Sequence, residues 1–307
     1  MSTSALRNLG RRRKLCGMKK IVYLCSQVTI PGSPNRRSDA FEHDRTMDAL
    51  RPEFESHDML LEDICWDQSG VKWHDYAAVI IGTTWDYWDR SDLFLETLER
   101  IESQTLLLNS AAMVRWNLDK RYLKELEQKG ARLIPTQWIA DPTRAAVAAA
   151  FESLRCDDLV IKRQVGAGAD GQYRLQRGDA IPDLDRAMMA QPFFPSIQTE
   201  GEMSLVFVDG QFSHALIKRA IEGEYRIQSS YGGTEQAIVA EPDDRQAAAD
   251  VLSSFDKTPL YARVDMLRGE SGELYLMELE LIEPYLYPLE GPDLGWRLAK
   301  AIERRLA

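Results

Sequence analysis

The sequence predicts a mixed protein: a layered α/β domain at the front and a larger α+β body behind it. Three observations carry that reading. Up to Asn109, short apolar runs and amphipathic stretches follow one another as strand–helix–strand–strand–helix–strand, the pattern of a sheet covered by helices. Beyond Asn109, alternating apolar strands flank tight turns at Asp209-Gly210 and at Gly269-Glu270-Ser271-Gly272, which is hairpin chemistry. The 307 residues are 44% hydrophobic and 28% charged, so a large core can be buried. By length it divides into roughly two or three structural units.

Residues 1–17 are basic, and the apolar run after them, IVYLC, is too short for a signal peptide and lacks a small-residue cleavage site. They read as a disordered extension, with Met18 as an alternative start. KIVYLCS (20–26) is the first strand, and the prolines and glycine of TIPGSPNRRS break regular structure after it. FEHDRTMDALRP sets Phe41, Met47 and Leu50 on one helical side. MLLEDICW and AAVIIGTTWDY are two more strands, the second ending at Thr83, Thr84 and Trp85. The amphipathic helix DLFLETLERIESQ and the strand TLLLN complete a domain spanning 18–110.

A first lobe follows at 111–190. WNLDKRYLKELEQKG reads as one helix closed by Gly130, ARLIPTQWI as a strand and RAAVAAAFESL as a helix. DLVIKRQVGAGADGQYRL reads as strand, glycine-rich loop and strand. MMAQPFF leads into a second lobe, 191–307. It comprises the hairpin EGEMSLVFVDGQFSHALIKR, the polar loop EGEYRIQSSYGGTEQ, the helix DRQAAADVLSSF, the hairpin YARVDMLRGESGELYLMELEL and the helix DLGWRLAKAIERRL.

Composition narrows the function. A net charge of -10 disfavours broad binding to nucleic acid or anionic lipid, and no window has the 18 apolar residues of a membrane span. Four well-separated cysteines without a C-x-x-C pair fit a reducing, cytoplasmic compartment. Four histidines, none at zinc-ligand spacing, make a zinc site or a histidine triad a poor reading; His214 and the methionines are assigned to packing.

The chemistry concentrates in the last hairpin. Its turn would set Arg268 opposite Glu273, Arg263 opposite Glu278 and Asp265 opposite Leu276. Alternation then gives a core face of Ala262, Val264, Met266, Tyr275, Met277, Leu279 and Leu281, and a polar face of Arg263, Asp265, Glu278 and Glu280. Same-face neighbours on a strand are about 6.5–7 Å apart. Three carboxylates this close repel one another unless water screens them or a multivalent cation sits among them. Hard oxygen donors suit Mg²⁺, which shares its remaining positions with waters and substrate phosphates. On the hairpin alone a solvated sheet face is the simpler reading. VGAGADGQ has amides that could approach phosphate, yet it lacks G-K-[ST] and opens no helix, so alone it is a flexible turn. Lys120, alone, is a solvated helix lysine.

Taken in order, however, these pieces resemble the ATP-grasp superfamily over about residues 110–290. A lysine-led helix, a strand lysine, a glycine-rich loop, QPFF, an E-x-S strand, an R-x-D strand and an E-x-E strand succeed one another. TTWDYWDR, LNSAAMVRWNLDKRYLKELEQKGARLIPT and MELELIEP are similar to the glutathione-synthetase-like branch, and within it to the cycloserine-forming cyclo-ligases. The resemblance implies an ATP-grasp fold with an N-terminal Rossmann-like pre-ATP-grasp domain, with ATP held between two α+β lobes.

Residue by residue, it implies that Lys120 and Lys162 contact phosphates beside Gly166, Gly168 and Gly171, that Gln191, Pro192 and Phe193 meet adenine, and that Glu202 holds ribose. Asp265, Glu278 and Glu280 correspond to metal ligands. Many members have asparagine at the position of Glu280, which leaves one or two Mg²⁺ ions open; Mn²⁺ is the natural substitute. Arg263 corresponds to the arginine that neutralises the transferred phosphoryl group, and its planar fork suits phosphate. Lys218, Arg219 and Arg226 lie with Tyr231, Gly232 and Gly233 on the presumed lid; an exposed polar loop is the other reading of that segment. Thr84, Trp85, Asp86 and Tyr87 end a buried strand, where α/β folds place ligand loops, although Trp85 and Tyr87 suit core packing equally. Glu283 falls outside the alternation and reads as a substrate or capping contact.

The implied activity is ADP-forming ligation of a carboxylate to an amine through an acyl phosphate, within one small amino-acid-like molecule or between two. A small-molecule kinase and an ATP-binding module without turnover are the rival readings. The intact Arg263, Asp265, Glu278 and Glu280 set speaks against the second. The partners expected are a small carboxylate and an amine, with no nucleic acid or membrane; a homodimer is left open.

Overall fold

The computed structural model describes residues 17–166, 171–227 and 231–307. The front domain runs β1 (Lys19–Cys25), α1 (Phe41–Ser56), β2 (Met59–Cys65), β3 (Ala78–Ile81), α2 (Ser91–Glu102) and β4 (Leu106–Leu108). Its strands are parallel in the order β2-β1-β3-β4. Because helices cover both faces, β1 and β3 are apolar on both. Ile21, Tyr23 and Ile80 face a core with Met47, Leu50 and Phe54 of α1. Val22, Leu24, Val79 and Ile81 face Trp66 and Phe94. The strand order reverses between β1 and β3, so their C-terminal loops open onto one crevice.

Where one helix was expected after Asn109, two form: α3 (Ala111–Asn117) and α4 (Tyr122–Gln128). The Ser110 hydroxyl caps the first by accepting from the Met113 N–H. The chain leaves the helical ladder between them, and the Lys120 N–H donates instead to the Gln164 carbonyl at 2.9 Å. Lys120 is therefore a buried turn residue rather than a solvated helix lysine. Tyr122, Leu123 and Leu126 pack into the core of the five-stranded sheet described below, not against the first lobe.

The first lobe contains β5 (Gln137–Ile139), α5 (Arg144–Ser153), β6 (Asp158–Arg163), β7 (Tyr173–Gln176) and β8 (Met188–Pro192), an antiparallel sheet in the order β5-β8-β6-β7. Of ARLIPTQWI only the end is strand; Leu133 makes a lone bridge to Leu276.

The second lobe contains α6 (Ser196–Thr199), β9 (Glu202–Val208), β10 (Gln211–Arg219), β11 (Thr234–Ile238), α7 (Pro242–Ser253), β12 (Tyr261–Arg268) and β13 (Leu274–Glu280). Its sheet runs β11-β10-β9-β12-β13. β11 falls in the segment read as a polar loop. It is an edge strand with most residues exposed, so no apolar alternation marks it. The last helix, α8 (Leu294–Arg305), returns to the front domain, where Leu294, Leu298 and Ile302 join the α1 core.

The hairpin register corrects the expected one. Arg263 pairs with Glu280, Asp265 with Glu278 and Arg268 with Leu274, and a bulge interrupts the ladder beside Asp265 and Met266. The extra residue, Met277, inverts the alternation on its N-terminal side. Leu274 and Leu276 therefore enter the core, while Tyr275 and Met277, expected there, turn towards Ile134 and Leu267. Arg263, Asp265, Glu278 and Glu280 still share a face because they all lie on one side of the bulge. Asn109 fastens this sheet to the front domain: its amide donates to the Tyr261 and Leu281 carbonyls at 3.0 and 2.9 Å and accepts from the Leu260 N–H at 2.6 Å.

Candidate active site

A deep cleft opens between the two lobes and reaches the front-domain loops. Its inner end is apolar, lined by Ile134, Val160, Phe193, Leu267 and Met277. Gln191 lies there too, its amide donating to the Thr136 hydroxyl at 2.9 Å. Phe193 is held from behind by the Arg174 guanidinium, 3.5 Å from its ring centre, and its edge meets Tyr225. Arg174 is itself forked onto Asp158.

Towards the middle the lining becomes charged. Lys120 Nζ lies 2.9 Å from Glu278 and donates to the Gly166 carbonyl at 2.6 Å. Burial works against ionisation of Glu278, yet Lys120 and Lys162 hold its carboxyl below the usual range. Burial also pulls Lys162 down, partly offset by Glu278.

On the facing sheet, Asp265 accepts from Arg263 at 2.9 Å, from the Ser204 hydroxyl and from Lys218 at 3.4 Å. Lys218 is also paired with Glu202, and Arg263 with Glu280. Arg263 Nη1 donates to the Tyr285 carbonyl at 3.0 Å. Burial opposes the charge on Lys218, but Asp265 and Glu202 outweigh it and hold its pKa high. Burial pushes Glu280 up to about 7, with Asp265 and Glu278 adding to the rise and Arg263 opposing it.

Among the described residues, no three His, Cys, Asp or Glu side chains converge into a cage that would hold a metal by themselves. Asp265, buried, and Glu278 and Glu280, half-buried, do share one sheet face, and burial holds the Glu280 pKa high although Arg263 opposes it. Mg²⁺ takes one or two carboxylates and completes its shell with water and phosphate oxygens, so this donor set fits it.

The structure brings Lys120, Lys162, Gly166, Gln191, Pro192, Phe193, Glu202, Lys218, Arg226, Arg263, Asp265, Glu278, Glu280, Glu283, Trp85 and Tyr87 to the cleft. Gly168 lies outside the described residues. Gly171, at φ +65°, packs against the Arg163 side chain rather than lining the cleft; a Cβ there would stand 2.4 Å from Arg163 Nε.

Thr84 and Asp86 are not on the cleft wall as expected. Thr84 is fully buried beneath its loop. Asp86 turns away to accept from Trp66 Nε1 at 2.7 Å and from Arg90 at 3.0 Å, because residues at successive positions of a loop cannot all face one side. Tyr231 is covered by the Arg226 guanidinium, 3.8 Å from its ring centre, and with Gly232 and Gly233 stays outside the lining. Arg226 lines the cleft while paired with Glu224 at 2.6 Å.

Glu283 joins the front domain to this site: its carbonyl accepts from Trp85 Nε1 at 3.1 Å, and burial pushes its carboxyl up to about 8 despite a bond from Tyr87. His214 packs as expected, Nε2 meeting the Leu286 carbonyl at 3.0 Å.

Sequence reasoning missed Arg37, Asp39, Arg174, Tyr225, Leu267 and Met277. Met277 was legible only with the bulge, whereas the doubled arginine and acid of NRRSD were a signal in plain view.

Set beside known proteins, this architecture is that of ATP-grasp ligases. It superposes on D-cycloserine synthetase DcsG with a TM-score of 0.80, covering 94% of this chain and 100% of that one at 27% identity. The ATP-grasp ligase PsnB, solved with a phosphomimetic variant of its minimal precursor, Mg and ADP, shares the fold, with a TM-score of 0.63 at 16% identity over 94% of this chain and 98% of its own. In sequence, residues 21–109 match the family described as the DcsG N-terminal domain. The cycloserine biosynthesis protein DcsG of Streptomyces lavendulae is 32% identical over 267 residues, 80% of this chain and 88% of that protein. The chain belongs to the DcsG family of ATP-grasp ligases. It is an ATP-dependent carbon–nitrogen ligase, of a class that works with ATP and Mg²⁺. Among the described residues, no helix is long and apolar enough to cross a membrane.

Proposed function

We propose that the enzyme phosphorylates the carboxylate of a small amino-acid-like substrate and lets an amine-type nucleophile, carried by the same molecule, displace the phosphate. The observation that carries this is the convergence of Arg263 and Lys218 with Asp265, Glu278 and Glu280 in one cleft. The DcsG relative, whose name refers to cycloserine biosynthesis, favours closure of a ring over joining of two molecules.

A carboxylate oxygen attacks the terminal phosphorus of ATP, the bridging oxygen departs with ADP, and an acyl phosphate forms. The free amine then attacks the acyl carbon, and the departing phosphate takes up the amine proton. Neither step needs a protein nucleophile. Positioning and charge neutralisation suffice, and the buried Lys218 and Arg263 are fixed before the reaction begins. Lys120 and Lys162 face the polyphosphate, Gln191 to Phe193 the adenine and Glu202 the ribose. Asp265, Glu278 and Glu280 would hold Mg²⁺, or Mn²⁺ in its place, as one ion or two. Bound there, the metal neutralises phosphate oxygens. Trp85, Tyr87 and Glu283 form the substrate wall. Free Cys25, Cys65 and Cys156 are in keeping with a cytoplasmic enzyme, and a homodimer is a matter for sedimentation.

The test is an ADP-release screen over amino acids, their O-substituted derivatives and hydroxylamine-type nucleophiles, with products weighed by mass. Release coupled to a product one water lighter than its reactants supports the reading. A phosphorylated product that persists would make the protein a kinase, and nucleotide binding without release under any carboxylate would make it a binding module.

A further inference from the structure

We infer that the front domain carries an anion-reading subsite, in which Arg37 binds a carboxylate of the substrate other than the one phosphorylated. The inference rests on the ligase reading above and concerns the substrate class: amino-acid-like molecules with two anionic groups.

The loops after β1 and β3 are tied into one body. The Thr83 carbonyl accepts from Ser26 Oγ at 3.1 Å and Thr29 Oγ1 at 2.8 Å, and the Thr83 hydroxyl meets His43 Nδ1 at 2.6 Å. All four residues are buried. His43 Nε2 in turn faces Asp63 at 3.3 Å, and the Arg37 N–H donates to the Val28 carbonyl at 2.9 Å.

From this braced body Arg37 reaches the cleft. Its Nε and Nη2 fork onto Asp39 at 2.9 and 2.7 Å, and its guanidinium stands 5.8 and 5.9 Å from the ring centres of Trp85 and Trp88. The fork uses two of the five N–H donors. Nη1 makes no hydrogen bond to the described residues, and the side chain is 34% exposed. A guanidinium held by a carboxylate and by indoles, yet open along one edge, is preorganised for a planar anion. Arg37 is also the one basic residue that the described front-domain residues bring to the cleft; the other cations there come from the two lobes. Those lobe cations serve the phosphates and the reacting carboxylate, so an anion at Arg37 is a second one.

The test measures binding to the wild-type protein saturated with AMP-PNP and Mg²⁺, by calorimetry, using pairs that differ by one charge. Suitable pairs are glutamate and glutamine, aspartate and asparagine, and O-succinylserine and O-acetylserine, each in both enantiomers. The anionic member of at least one pair is expected to bind ten-fold or more tightly than its neutral partner. Arg37→Met should erase that preference and Arg37→Lys should weaken it, with AMP-PNP affinity unchanged in both. Equal binding within every pair, no binding by any anionic probe, or a preference that survives Arg37→Met overturns the inference. Failure of AMP-PNP to bind the wild type would instead strike the ligase reading itself.

Discussion

Lys218→Met is the perturbation that reads the buried charge cluster most sharply. Lys218 is 6% exposed, and its two partners, Glu202 and Asp265, are 1% and 2% exposed. Methionine fills the same space without a charge. Asp265 keeps Arg263 and Ser204, but Glu202 loses the one cation paired with it, while Arg263 and Lys162 act on it only from further off. Removing one partner of a buried pair costs about 3–5 kcal/mol, most of it the desolvation of the charge left behind. Urea unfolding followed by tryptophan fluorescence should show that loss at pH 7.5. The double variant Lys218→Met/Glu202→Gln should recover about half or more of it, because the orphaned charge has gone. Neither variant should turn over at wild-type rate: loss of one preorganised donor to a developing anion costs about 10²–10³ in kcat. A single variant within about 1 kcal/mol of wild type, or a double variant no better than the single, would refute the reasoning that this cluster is dry and mutually dependent.

Glu278→Gln should keep the fold yet lower Mg²⁺-dependent ADP release by about 10²–10³-fold, checked by circular dichroism and a coupled assay. Wild-type release by this variant would sink the metal-site assignment. Asn109→Ala removes three hydrogen bonds between the front domain and the second lobe and should cost about 3 kcal/mol in urea unfolding. His214, whose pKa burial lowers to about 4, is charged less readily folded than unfolded. Its stabilisation is therefore complete above pH 6.5 and is lost as pH falls towards 4. Between pH 7.5 and 4.5 wild type should lose about 2.5 kcal/mol that a His214→Asn variant does not lose.

Much of the candidate site was legible in the sequence because charge interrupts apolar pattern. Arg263, Asp265, Glu278 and Glu280 stood out as charges in greasy strands, and all four line the cleft. Their register was not legible. The turn side is offset by one residue, Arg268 meeting Leu274 rather than Glu273. A bulge at Met277, which costs nothing in composition, adds a second, so that Glu280 and not Glu278 meets Arg263. The bend at Lys120 escaped although Asn117 and Asp119 are poor helix formers and Asp119 accepts from the Arg121 N–H; the bond of the Lys120 N–H to Gln164, forty-four positions away, is what the sequence did not show. β11 was missed because an exposed edge strand carries no burial pattern to read. Thr84 to Tyr87 were read as a ligand loop at the end of a strand, yet which of their side chains face the cleft is set by contacts such as Asp86 with Trp66, which spacing alone does not show.

The central claim, that a substrate carboxylate is phosphorylated, is open to one direct measurement. The substrate found by the ADP-release screen is prepared with both carboxylate oxygens as ¹⁸O, turned over to completion with unlabelled ATP, and the inorganic phosphate is weighed. The account predicts one ¹⁸O in each phosphate released, matched one to one with ADP. Phosphate free of label, with ADP formed in the same amount, would contradict it.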